Sequence, residues 1–105
     1  MGPDETVLLM IHKRIRKRES YDVDSVEIIR ALSENGYPME AGDVLQCMAH
    51  LKEAKYIRAY EDTDDFDMET GRRGIARVTR YWGIEITPEG AMRAIDVQNQ
   101  FRYGN

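Results

Sequence analysis

Residues 39–61 read MEAGDVLQCMAHLKEAKYIRAYE, and this stretch decides the fold because its apolar period changes partway along. Val44, Met48 and Leu51 recur at helical spacing, with Leu45 and Ala41 beside them, which predicts a helix over 39–54. From Tyr56 to Glu61 the pattern alternates. Ile57 and Ala59 fall on one side, and Tyr56, Arg58 and Tyr60 on the other, as in a half-buried strand. A polar stretch, Asp62 to Gly74, reads as the connection of a hairpin. Ile75 to Ile86 supplies the return strand, with Ala76, Val78, Trp82, Ile84 and Ile86 sharing one parity, Arg80 interrupting it and Gly83 marking a bulge. The hairpin as a whole is expected over 56–86.

Working outward, Asn35-Gly36-Tyr37-Pro38 stops an earlier helix, because Gly takes the left-handed conformation and the residue before Pro avoids helix. That helix is predicted over 24–34, burying Val26, Ile29 and Leu32. Asp24 and Glu27 form its capping box, and Val23 and Ile28 its hydrophobic staple. A short extended piece, Tyr21 to Val23, leads into it. The first helix is predicted over 4–18, from Val7, Leu8, Ile11 and Ile15 on one face with Leu9 and Met10 widening the stripe. On the other flank, Thr87 caps a last helix with Pro88 in its first turn. That helix is expected over 88–101, with Ala91, Ala94, Ile95, Val97 and Phe101 as its apolar positions and residues 102–105 as a frayed tail.

The 105 residues suffice for one domain, 1–105, and the 42% hydrophobic and 32% charged composition excludes disordered and low-complexity classes. No apolar run is long enough to span a bilayer, and Asp4 and Glu5 stand where a secretory signal would be positive, so no membrane partner is expected. The single Cys47 is compatible with a reducing, cytoplasmic setting. Net charge is −4, yet Glu61, Asp62, Asp64, Asp65, Asp67 and Glu69 are six acids within nine residues, and the remainder is basic on balance. The basic residues cluster at Lys13, Arg14, Arg16, Lys17 and Arg18, and again at Arg72, Arg73, Arg77 and Arg80.

Gly36-Tyr37-Pro38, the run His50-Leu51-Lys52-Glu53-Ala54-Lys55-Tyr56-Ile57, and Ile86-Thr87-Pro88-Glu89-Gly90 resemble the junctions of a winged-helix domain. The last is similar to the Leu-Thr-x-x-Gly that closes the wing in MarR- and PadR-type regulators and in small prophage-type winged-helix proteins. The resemblance covers nearly the whole chain. It implies a mainly α fold with a small antiparallel hairpin, a winged helix-turn-helix, in which 39–54 is the recognition helix and Tyr60–Arg77 the wing. It further implies a homodimeric transcriptional regulator of double-stranded DNA; the residues themselves, read motif by motif, lead us to expect no enzyme and no cofactor. Gln46 would pair with adenine and His50 would reach a phosphate, and Arg72, Arg73 and Arg77 would grip phosphate or the minor groove. A dimer interface is expected at Leu9, Met10, Ala94, Val97 and Phe101, whose apolar surface exceeds what one core-facing stripe needs.

The outward residues of the recognition-type helix, read by spacing as Glu40, Asp43, Gln46, Cys47, His50 and Glu53, favour the other class. Acids there repel phosphate, and a winged helix also serves as a protein-interaction module without DNA contact. The hairpin's acids would pair with Arg72, Arg73 or Arg77 and gate them. No motif for chemistry is complete. A calcium loop opened at Asp65 fails at Thr70 and Ala76, His12 and His50 lack zinc partners, Cys47 lacks a base, and Ser20, Ser25 and Ser33 lack an elbow. Residues 1–6 fit the N-myristoylation pattern formally, though Pro3 and two acids make that a chance match. Tyr56, Tyr60, Tyr81 and Trp82 are expected to pack the hairpin onto the helices, the alternative being a stacking surface for single strands.

Overall fold

Helices α1 (Pro3–Lys17), α2 (Ser25–Glu34) and α3 (Ala41–Glu53) precede a two-stranded antiparallel hairpin, β1 (Ile57–Asp67) and β2 (Arg72–Ile86), and helix α4 (Pro88–Tyr103) follows it. The computed structural model describes residues 2–17, 22–67 and 72–103, and the backbone alone at 65–67, 72–76 and 102–103. Arg18 to Tyr21, Met68 to Gly71 and the last two residues, each part of a segment read above, lie outside the described residues. The fold is mainly helical with one small hairpin.

The extended piece before α2 does pair: the Ile84 N–H donates to the Val23 carbonyl at 3.1 Å, fastening the first interhelical segment to β2. Asp24 then caps α2, accepting from the Glu27 N–H at 2.8 Å. The reciprocal half of the capping box is replaced, because the Glu27 carboxylate is drawn to the Arg14 guanidinium on α1. Val23 and Ile28 both lie in the core, and anchoring there fixes the rotation of α2. Its inward face is consequently Ser25, Ile28, Ala31 and Leu32, whereas Val26, expected inside, is half exposed and Ile29 only partly buried.

Both α2 and α3 end in the same backbone device. Gly36 sits at φ +86, with Tyr37 N–H bonded to Leu32 O at 2.9 Å and Gly36 N–H to Ser33 O at 3.2 Å. In α3 the equivalent position is Lys55, at φ +67, with Tyr56 N–H bonded to Leu51 O and Lys55 N–H to Lys52 O. This reversal turns the chain directly from helix into β1. The helix itself starts two residues later than expected, because Glu40 is still extended at ψ 145.

The largest departure from expectation is in the hairpin. The polar stretch from Asp62 does not loop out. Strand β1 continues through it to Asp67, and β2 begins at Arg72. The register explains why: Asp62 lies opposite Arg80, Asp64 opposite Arg77 and Asp67 opposite Arg72, so opposite charges face each other across the ladder. Register shifts also re-aim the return strand. Between Arg58↔Glu85 and Tyr60↔Trp82, β2 carries one extra residue beside Gly83, which has φ +57. This bulge puts Tyr81 (2% exposed) and Ile84 (1%) into the core and turns Trp82 outward, against the simple parity. A second shift between Asp62 and Thr63 brings Val78 back inward and leaves Arg80 outside.

Thr87 and Gly90 lock α4 onto the α3–β1 junction. Thr87 Oγ1 donates to the carbonyls of Lys55 (2.7 Å) and Tyr56 (3.1 Å) and accepts from the Gly90 N–H at 2.9 Å. The Thr87 N–H donates to Tyr56 O at 3.0 Å. Gly90 passes so close to that carbonyl that a Cβ would lie 2.0 Å from the Tyr56 oxygen. Helix α4 runs on through residues 102 and 103, expected as tail. The core gathers Val7, Leu8, Ile11, Ile28, Leu32, Val44, Met48, Leu51, Ile57, Tyr81 and Ile84 from every element before α4, and Ala94 from α4. Among the described residues no helix is long and apolar enough to cross a membrane.

Candidate functional site

Two surfaces hold the residues singled out by the sequence: the α3–hairpin face and the groove between α1 and α4. On the first, Gln46 is exposed near the middle of α3, with the exposed Gly42, Ala49 and Glu53 around it and Glu40 and Asp43 toward the N-terminus. Cys47 is not outward. It is buried, belongs to the core, and burial followed by its hydrogen bond to Asp4 pushes its thiol up to about 12. It remains a thiol at neutral pH, so a thiolate nucleophile is not available there.

Three basic side chains bordering this face are held by carboxylates. His50 Nδ1 lies 3.2 Å from an Asp4 carboxylate oxygen on α1, which holds the ring expected to reach phosphate. Lys52 Nζ bonds Glu61 at 2.8 Å and stands 5.9 Å above the Tyr81 ring. Arg80 is shared between Asp24 (3.1 Å) and Asp62 (3.3 Å), and those bonds push its pKa up. Arg77 is exposed and opposite Asp64 in the register. Arg72 and Arg73 stand at the start of β2, and their side chains lie outside the described residues. Of the acids expected to gate those arginines, Asp62 engages Arg80 instead, because the register sets Arg80 across from it, while Asp64 and Asp67 stand opposite Arg77 and Arg72.

The hairpin's aromatic residues divide between its two faces. Tyr81 packs inward, its N–H bonded to the buried Ser25 hydroxyl at 3.1 Å, and Tyr56 is half-buried. Tyr60 and Trp82 stack on the outer face at 4.7 Å between centroids, and the Trp82 Nε1–H donates to Asp62 at 3.2 Å. Gly83 makes room for that pair, since a Cβ there would meet the Tyr60 ring at 3.0 Å. The bulge expected at Gly83 is what sorts Tyr81 from Trp82, and parity taken without it assigns them to the wrong faces.

The residues expected at a dimer interface do not form one surface. Met10, Ala94 and Val97 are buried in the chain's own core, because α4 packs directly along α1, and Leu9 is partly covered. Only Phe101, at 62%, stands out in solvent, while Met92 (68%) and Ile95 (47%) are exposed on α4 as well. Phe101 forms one wall of a groove of about 560 Å³ whose other walls include Leu9, Met10 and Tyr37. Lys13, Arg16 and Lys17 rim it, and His12 also lines it, its pKa lowered by burial and then by Arg16. Neither the groove nor the carboxylate clamps were visible in the sequence, since both arise from residues distant along the chain.

Among the described residues, no group of three or more His, Cys, Asp or Glu side chains is arranged to hold a metal ion. No family model, curated protein or solved structure matches the chain.

Proposed function

We propose that the chain is a winged helix-turn-helix domain that recognises another protein and does not read duplex DNA. The element order supports the winged-helix reading: α2 and α3 joined by a short Gly- and Pro-containing turn, then a hairpin that Val23 joins at its edge. One observation carries the functional reading. His50, Lys52 and Arg80, which border the face that would meet DNA, are each held by a carboxylate of the same chain, and the outward start of α3 is acidic. Duplex binding depends on neutralising phosphates with free cations, and releasing these would mean breaking existing pairs.

The second reading is a homodimeric DNA-binding regulator. It is favoured by the exposed Gln46 between Gly42 and Ala49, a polar side chain flanked by small residues that admit close approach, and by the exposed Arg77. Fluorescence anisotropy with random duplex DNA, from low to physiological salt, separates the two. The protein-binding reading expects no saturable binding even at low salt. Binding that Arg77→Ala weakens would favour the regulator.

A further inference from the structure

Gly90, Ala94, Val97 and Phe101 fall on one stripe of α4, and the first three are buried. Phe101 continues that stripe beyond the end of the core, so a residue on the core-facing side overhangs α1 with 62% of its surface in solvent. Beneath it Leu9 and Met10 form an apolar floor, and Tyr37, 49% exposed, stands nearby. The charged residues lining the groove, Lys13, Arg16 and Lys17, are all cations. Lys13 touches only the neutral amide of Asn35, at 3.3 Å, and Arg16 and Lys17 have no carboxylate partner among the described residues. Elsewhere Arg14, Lys52, Arg58, Arg80, Arg93 and His50 each lie against an acid. In a chain with 19 acids to 15 Lys and Arg, no described Asp or Glu lines this groove.

We infer that the α1–α4 groove docks an acidic amphipathic segment of another protein, its carboxylates meeting Lys13, Arg16 and Lys17 and one aromatic or aliphatic anchor entering beside Phe101. The inference rests on the protein-binding reading above and names the surface and the chemistry of the partner. Concavity with an apolar floor suits an anchored side chain better than the convex phosphate surface of a duplex. A second copy of this chain fits less well. Its own acidic stretch lies within a paired strand, where Asp62 already engages Arg80 and Trp82.

The test is selection of displayed random peptides on the whole chain, followed by anisotropy of the labelled winners against variants whose fold is checked by circular dichroism. The expected winners carry net negative charge around an aromatic or aliphatic residue. Their affinity falls about tenfold or more in Phe101→Asp and in Lys13→Glu/Arg16→Glu, weakens with salt, and is unchanged in Gln46→Ala. Winners that lack acids, or that bind the groove variants as tightly as the parent, would overturn the inference. So would self-association that Phe101→Asp abolishes, which would give the groove to a second copy. Duplex DNA binding through Arg77 would instead defeat the protein-binding reading and leave the peptide result standing, so the two failures are distinct.

Discussion

Replacing Gly90 with Ala places a methyl group 2.0 Å from the Tyr56 carbonyl oxygen, 2.8 Å from its carbon and 2.9 Å from Ile86 Cγ1. The first two are backbone atoms, so no side-chain rotation relieves the clash. The start of α4 must retreat by more than about 1 Å to restore ordinary contact. That shift stretches the three hydrogen bonds joining Thr87 to Lys55 and Tyr56, now 2.7 to 3.1 Å long. The hydroxyl shares one proton between two carbonyls, so its bond and that of the Thr87 N–H amount to about 2 kcal/mol, and residual overpacking adds about 2 kcal/mol. The better helix propensity of Ala returns up to about 1 kcal/mol, leaving a net loss of about 3 kcal/mol. For a domain of this size that lowers Tm by roughly 12–24 °C. Urea and thermal unfolding, followed by circular dichroism and by the single Trp82, measure it. Gly42→Ala is the matched control: nothing lies within 4 Å of its Cβ, and it should be neutral or stabilising by up to about 1 kcal/mol. Equal stability of Gly90→Ala and the parent would refute the claim that this contact holds α4 to the α3–β1 junction.

Other substitutions probe the remaining devices. Lys55→Gly removes a left-handed strain at φ +67 and should stabilise by about 1 kcal/mol, read from the urea midpoint; a loss would mean the Lys side chain contributes more than the backbone strain costs. Because the Cys47 thiol is pushed up to about 12 from an ordinary 9.0, the folded state holds its proton longer than the unfolded chain. The stability this contributes is complete below pH 9.0 and declines as pH rises from there toward about 12; Cys47→Ala should flatten that part of the stability–pH curve, and native thiol alkylation at pH 8 should be slow and track unfolding. Asp62→Asn with Asp64→Asn should raise random-duplex binding more than neutralising Glu34 and Asp96, an equal charge change away from the hairpin; equal gains would show that the cross-strand pairs restrain nothing.

How far the sequence could be read follows from where the deciding interactions lie. The Asn35-Gly36 stop, the Asp24 cap and the Thr87 cap were legible because each is local, its donor and acceptor a few residues apart or its backbone conformation demanded by Gly. The acidic run misled for the complementary reason. Asp is disfavoured in strands when taken alone, and only the arginines of the return strand, set opposite in register, make the run a strand. Tyr81 and Trp82 exchanged faces because the bulge at Gly83 inverts the parity of the strand until the second shift restores it at Val78. Val26 faces out because the expected Val23–Ile28 anchor, seated in the core, sets the rotation of a short helix. At the candidate site, the clamps on His50, Lys52 and Arg80 come from Asp4, Glu61, Asp24 and Asp62, and neither the composition nor the spacing of α3 contains them. The groove was missed in the same way: Met10, Ala94 and Val97 looked like spare apolar surface, and only the packing of α4 on α1 shows that Phe101 is the residue left uncovered.

The central claim is that the α3–hairpin face is electrostatically closed to duplex DNA while the α1–α4 groove is open to an acidic segment. Amide chemical-shift mapping of the labelled protein tests both halves at once, titrating random duplex DNA and, separately, the tightest selected acidic peptide. The account predicts that the peptide shifts amides along Leu9 to Lys17 and Gln98 to Phe101, and that duplex DNA at physiological salt shifts none. Saturable shifts along Gly42 to Glu53 and around Arg77 on adding duplex DNA, with the groove amides unmoved by peptide, would contradict it.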